Sequence, residues 1–265
     1  MDEKRMPALF VGHGSPLMAL EDSDITRELA RIGAEVRGRF GMPRAIVMVS
    51  AHWYTKGSRV QTAVLPRQVY DMYGFPPELY EVRYPAAGSP SVGKRIVELL
   101  GPRARVDDSW GIDHGAWSVL VHLFPEADIP VVQLSVDAAI TFSEAYELGR
   151  ALAVLRDEGC LIIGSGNIVH NLSRVDWSYP GGFPEALSFD GFVVERVLAR
   201  DDAAVIACDE HPQADFALPS PDHFLPLLYV LGVTAGERPR VFNNVCDLGS
   251  ISMTGFAFGL DNVVE

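Results

Sequence analysis

Apolar residues along this chain follow two rhythms. In the first they run together between glycine, proline or polar residues, at 7–11, 45–51, 129–136 and 159–165, and runs of this length read as strands buried on both faces. Shorter runs at 60–65 and 103–106, and two at the end of the chain, 240–245 and 251–258, read as further strands. In the second rhythm apolar residues recur every three or four positions. Segment 22–40 places Ile25, Leu29, Ile32 and Val36 on one helical face before Gly41-Met42-Pro43 stops it. Helices are likewise expected over 91–100, 142–157 and 186–198, from near Pro221 to Leu231, and in the apolar segment 116–124. Strands alternating with helices predict an α/β sandwich, formed by residues 1–265 as a single domain with no linker, repeat or low-complexity stretch. Because the last strands lack a crossover helix, the central sheet flanked by helices should be mixed.

Three apolar runs end at or near an imidazole. Residues 7–11 lead through Gly12 to His13, 45–51 deliver His52, and 159–165 precede His170. In open α/β sheets the ligand crevice lies outside the carboxyl ends of the strands, so these histidines are expected to converge although they are far apart in sequence. Gly12, Gly14 and Ala51 leave room for a metal or substrate beside the first two.

The other four histidines are weighed one at a time. His114 follows Asp113, a residue suited to cap a helix, and His223 in Ser220-Pro221-Asp222-His223 lies at a helix start, where a capping-turn role is the alternative. His122 lies about 80° around an ideal helix from His114, off its face, and is read as structural. His211, before Pro212, is read as an exposed turn residue. Residues 66–90, rich in Pro, Gly and Tyr, form either a lid or a surface loop pinned by its own aromatics.

Composition narrows the chemistry. A net charge of −13 over 265 residues argues against nucleic acid as a partner. Cys160, Cys208 and Cys246 form no CxxC pair, so a metal site would have to use imidazole. No apolar run approaches the roughly 18 to 20 residues of a membrane span and the start lacks a signal-peptide pattern, so the expected location is the cytoplasm. There is no Gly-x-Ser-x-Gly elbow, no HExxH and no dinucleotide GxGxxG after a strand.

Seven motifs occur in order: Gly12-His13-Gly14-Ser15-Pro16, Ser50-Ala51-His52-Trp53, Gly74-Phe75-Pro76, Tyr84-Pro85-Ala86, Asp113-His114-Gly115-Ala116-Trp117, the stretch from Gly164 through Asn167 and His170 to Leu172, and His223-Phe224-Leu225-Pro226-Leu227. Together they resemble the 4,5-DOPA extradiol dioxygenase family. That family lies within the class III extradiol ring-cleavage dioxygenases, related to the large subunit of protocatechuate 4,5-dioxygenase. The likeness covers essentially the whole chain.

The resemblance implies one divalent metal ion per chain, held by His13, His52 and His223 at the carboxyl ends of the strands. His170 takes the place of an acid/base histidine close enough to be a fourth ligand in some states, and His114 that of a second catalytic histidine contacting substrate or dioxygen. Ser15, Tyr73 and Phe75 are the implied substrate-binding residues. The implied reaction inserts O2 into a catechol ring and yields a ring-opened muconic semialdehyde. Fe(II) is the metal expected for that chemistry. A neutral third ligand, His223 where much of class III has a carboxylate, also makes Zn(II) a candidate occupant. Met72 stands where the family pattern has an aromatic. The implied partners are a catechol and O2, with a homo-oligomer compatible. Two other readings of the same histidines are a zinc hydrolase, whose turnover would not need oxygen, and a non-catalytic binding protein similar to the Memo proteins.

Overall fold

An eight-stranded sheet runs through the computed structural model, which describes residues 5–260. Its strands are β1 (Ala8–Gly12), β2 (Ala45–Thr55), β3 (Ser58–Val60), β4 (Ala104–Val106), β5 (Val131–Asp137), β6 (Cys160–Gly166), β7 (Pro239–Phe242) and, after a small separate ribbon of β8 (Cys246–Asp247) and β9 (Ile251–Ser252), β10 (Gly255–Phe258). The order across the sheet is β4-β3-β5-β2-β6-β1-β10-β7. The inner strands β5, β2, β6 and β1 are parallel. β10 and β7 join antiparallel at one side and β3 joins antiparallel to β5 at the other, so the sheet is mixed as expected.

The inner strands read as unbroken apolar runs because both of their faces are covered. Alternate residues point to opposite sides. Phe10, Val47, Val49 and Ile162 meet α2 (Pro90–Leu100), α4 (Phe142–Leu152), α6 (Pro184–Ala199) and α9 (Leu225–Val233). Leu9, Val11, Ile46, Met48 and Ile163 meet α1 (Asp24–Phe40) and α3 (His114–Leu123). Every residue of α9 is buried, as suits a helix apolar all round and wedged between α4 and the sheet. Short helices α5 (Val154–Asp157), α7 (Asp202–Ile206) and α8 (Ala214–Ala217) complete the helical layers. No described helix is long and apolar enough to cross a membrane. The three cysteines are buried and unpaired, and burial pushes their thiols up to about 11 to 12.

Several elements depart from the sequence reading for local reasons. The strand expected over 60–65 stops at Val60, because the backbone N–H groups of Thr62 and Ala63 donate to the Asp108 carboxylate at 2.6 and 2.9 Å. The run 240–245 stops at Phe242, where Asn243 turns into the left-handed region at φ 47°. The run 251–258 is two strands, one pairing with β8 and one closing the main sheet. Helix 142–157 breaks at Ala153. The last long helix starts at Leu225, four residues later than expected, and runs on to Val233. His211 is half-buried rather than exposed, its ring packed against Phe189 and Phe192.

Candidate metal and active site

Five imidazoles gather at the carboxyl end of the inner strands. His13 leaves β1 and is 1% exposed. His52 does not follow its strand but sits inside it: β2 continues to Thr55, and its pairing with β5 jumps from Ser50–Ser135 to Tyr54–Val136. The bulge at 51–53 carries His52 toward His13, a common use of such irregularities beside active sites. His223 lies in the turn before α9, and its carbonyl accepts from Asn167 N at 2.9 Å. Gly166 permits this approach, since a Cβ there would stand 2.1 Å from the His223 carbonyl oxygen. The ring centroids of His13, His52 and His223 lie 4.8 to 5.1 Å apart. The nitrogens of His13, His52 and His114 that can act as ligands lie within 4.8 Å of one another.

Hydrogen bonds to Nδ1 decide what each ring offers at Nε2. The Ser165 hydroxyl donates to Gly115 O at 2.6 Å, so its oxygen is left to accept from His13 Nδ1 at 3.0 Å. His52 Nδ1 faces Asp71 Oδ2 at 3.1 Å, and His223 Nδ1 faces Asp222 Oδ2 at 2.7 Å. In each case Nδ1 holds the hydrogen and Nε2 keeps its lone pair for something else. His223 Nε2 is buried without a partner, and His13 Nε2 lies 2.9 Å from His52 Nε2. Two lone pairs at that distance repel unless a proton or a cation lies between them. Two nitrogens bound about 2.05 Å from one ion at right angles stand about 2.9 Å apart, so the His13–His52 pair fits one divalent metal.

The electrostatics agree with a cluster of bases. Burial, then the neighbouring imidazoles, hold His13 well below its ordinary value, and His223 likewise. Burial also depresses His52, but Asp71 and the nearby carboxylates reverse the shift and leave it raised. Burial would raise Asp71; the hydrogen bonds from His114 and His52 outweigh it and hold the carboxyl ionised.

His114, at the start of α3, places Nδ1 3.0 Å from Asp71 Oδ1, and its ring centroid is 3.8 Å from that of His52. Asp113 caps α3 as the sequence suggested, accepting from Ala116 N. It also accepts from Ser50 Oγ, Trp110 Nε1 and the Gln133 amide, so one buried carboxylate braces both the helix start and the bulge that carries His52. His170 stacks on His223, centroids 3.5 Å apart and planes within 6°, and burial lowers its pKa to about 4. His122 points away to Met18 O, a structural contact as expected.

These rings line a cavity of about 730 Å³ whose walls also include Ser15, Tyr73 and Phe75, the three implied substrate residues. Ser15 Oγ additionally accepts from Leu17 N and caps the turn that follows β1. The 66–90 loop is tied down as one wall: Tyr70 donates to Val82 O, Tyr84 N to the Gln68 side chain, and Trp117 Nε1 to Val69 O. Sequence reasoning missed Asp71, Ser165 and Asp222, which orient the imidazoles, and Leu172 and Trp177 at the cavity mouth. Only Asp222 carried a signal, a carboxylate adjacent in sequence to a candidate ligand.

Residues 7–259 match the family described as the catalytic LigB subunit of aromatic ring-opening dioxygenase. The chain is 42% identical over 266 residues to the 4,5-DOPA dioxygenase extradiol of Escherichia coli K12, covering 98% of this chain and 97% of that one. It is 37% identical to the protein of the same name from Beta vulgaris, over 94% of this chain and 95% of the relative. A crystal structure of an uncharacterized protein from Escherichia coli K12 superposes with a TM-score of 0.83 at 40% identity, covering 96% of this chain and all of that one.

Proposed function

Because the chain belongs to the LigB family of aromatic ring-opening dioxygenases, we propose that His13, His52 and His223 hold the single metal this family uses and that His170 and His114 serve the opening of a catechol ring. The enzyme is an extradiol dioxygenase, which incorporates O2 into a catechol beside the diol. The observation that carries the ligand assignment is the set of three imidazoles whose Nδ1 atoms face a serine or a carboxylate, with the Nε2 atoms of His13 and His52 2.9 Å apart and that of His223 buried without a partner.

When bound, Fe(II) supplies the electrons that make O2 reactive toward the ring; zinc occupies the same nitrogens without that redox chemistry. The protein supplies the rest. His170 is neutral at ordinary pH because burial disfavours its charged form, and a neutral imidazole accepts a proton from a catechol hydroxyl. It is assigned as acid/base: its ring stacks on that of His223, the centroids 3.5 Å apart, so it stands beside the residues that would hold the metal. His114, with Nδ1 3.0 Å from Asp71 Oδ1, is assigned to contact substrate or dioxygen through Nε2, donating there when the ring is protonated. Ser15, Tyr73 and Phe75, which line the same cavity, are assigned to hold the substrate.

Reconstitution with Fe(II) under anaerobic conditions, followed by admission of oxygen with DOPA or 4-methylcatechol, should give oxygen uptake and a ring-opened chromophore in equal amounts. Ester or amide hydrolysis by the zinc form, with no oxygen uptake by the iron form, would contradict the reading. His170→Ala should retain the metal and lose turnover.

A further inference from the structure

We propose that the chain carries a second ligand site, which takes the phosphate group of a small phosphate ester, in the cavity bordered by the β2–β3 turn, the edge strand β4 and α4. This cavity shares no lining residue with the imidazole cavity, so the inference does not depend on the ring-opening function.

The space measures about 310 Å³, at the small end of ligand pockets. Four cations line it: Lys56 from the turn after β2, Arg59 from β3, Arg103 from the single turn after α2, and Arg105 from β4. Two carboxylates, Asp137 and Glu144, share the lining, and Pro102, Ile140 and Leu148 give it an apolar wall. A chain with 35 acidic and 22 basic residues is mostly negative, and this concave surface has the opposite balance.

The carboxylates do not neutralise these cations, because both are taken up by backbone. Asp137 Oδ1 accepts from Gly57 N and Ala139 N, each at 2.9 Å. Glu144 Oε2 accepts from Thr141 N and Oγ1 at 2.7 and 2.9 Å, closing the capping box of α4. Meanwhile the side chains of Lys56, Arg103 and Arg105 make no hydrogen bond or ion pair with any described residue. Arg59 reaches only the Ser58 carbonyl, at 3.5 Å, and the Asp107 carboxylate, at 3.9 Å. The two strands add a second observation. β3 and β4 run parallel with Arg59 directly opposite Arg105, so both side chains leave the same face of the sheet. Like charges opposite each other on neighbouring strands destabilise a sheet. An anion seated between them removes that repulsion.

Charge and shape select the ligand. Four cations against two carboxylates leave two positive charges, which a phosphate monoester matches with its charge of about −1.5 to −2 near neutrality and a single carboxylate does not. Guanidinium forks also bind phosphate oxygens in pairs. A cavity of about 150 Å³ accepts benzene, so beside the phosphate there is room for an organic group of about that size against the apolar wall.

The test is calorimetric titration of the metal-loaded protein with phenyl phosphate and with benzoate. Phenyl phosphate should bind with a Kd below about 1 mM, about tenfold or more tighter than benzoate, and more weakly as salt rises. Arg103→Ala and Arg105→Ala should each weaken it about five- to tenfold, and Lys56→Ala should act in the same direction. His223→Ala, on the imidazole floor, should leave the affinity unchanged. All three cationic residues are exposed, and thermal unfolding of each variant checks that it folds. Phenyl phosphate should also raise the unfolding temperature of the wild type and not that of the variant lacking both Arg103 and Arg105. No binding up to about 5 mM, benzoate binding as tightly, or an affinity that falls in His223→Ala and not in the arginine variants would overturn the proposal. A protein that opens no catechol ring yet binds phenyl phosphate through Arg103 and Arg105 would contradict the ring-opening function and uphold this site.

Discussion

On the floor of the cavity His13, His114 and His223 are no more than 6% exposed, and the Nδ1 of each ring lies close to a serine or a carboxylate; at the mouth Tyr73, Leu172 and Trp177 stand largely in solvent. The floor residues come from strand ends, a braced bulge, the start of α3 and the turn before α9, while the mouth residues come from the segments that connect the long elements, Leu172 from a single 3-10 turn. The residues proposed to meet one ion thus stand on packed strand ends and braced turns, whereas the residues at the mouth stand on exposed connecting segments. On the proposed assignment the floor carries the chemistry and the mouth only borders it, and substitutions should sort accordingly.

The contrast is broken most directly by removing one of the proposed floor ligands. His223→Ala is expected to leave the purified protein with less than a tenth of the wild-type metal and to lower turnover by about 100-fold or more, read by metal analysis and an oxygen electrode. Retention of metal and rate would remove His223 from the ligand set. Gly115→Ala comes next. Its added Cβ would stand 2.6 Å from His52 Cδ2, while alanine itself suits a helix, so the protein should fold and bind catechol yet lose up to about 100-fold in kcat.

Asp71→Asn tests whether the layer beneath the ligands matters. Asparagine keeps the shape but loses the charge that orients His52 and His114, and metal affinity measured by chelator competition should fall about 10- to 100-fold. The smallest effect lies away from the cavity and serves as its control. Glu35 on α1 pairs with Arg240 on β7 at 2.7 Å; burial would raise its carboxyl, but Arg240 and Arg39 reverse this and hold it below 4.5. A carboxyl with a depressed folded pKa stabilises the protein above the unfolded value and loses that contribution as pH falls through the folded one. Thermal unfolding of Glu35→Gln should therefore lag wild type by about 1 kcal/mol or less near neutrality and converge with it as pH falls through the depressed folded value, with oxygen uptake unchanged.

Much of the floor was legible in the sequence because its signals are local. An apolar run that stops at Gly12-His13, another that reaches His52, and a glycine-bearing loop before His170 each announce a strand and what it carries. Asp113 was legible as a cap because helix starts have a short-range chemistry, but its second task of bracing the bulge through Ser50 was not, since that contact spans 63 positions. Asp71 sits in a loop with no periodicity, and its meeting with His52 and His114 depends on where that loop docks. The bulge itself left no trace in the apolar pattern: the run was read as ending at Ala51, and the buried Trp53 lies beyond it, so the strand was expected to end where it only changes register.

The most direct measurement is anomalous diffraction from crystals of the metal-loaded protein. One peak about 2.0 to 2.2 Å from Nε2 of His13, His52 and His223, with His170 outside bonding distance, is the expected result. A peak held by His114 and Asp71 in place of His223, or no ordered ion at these nitrogens, would contradict it.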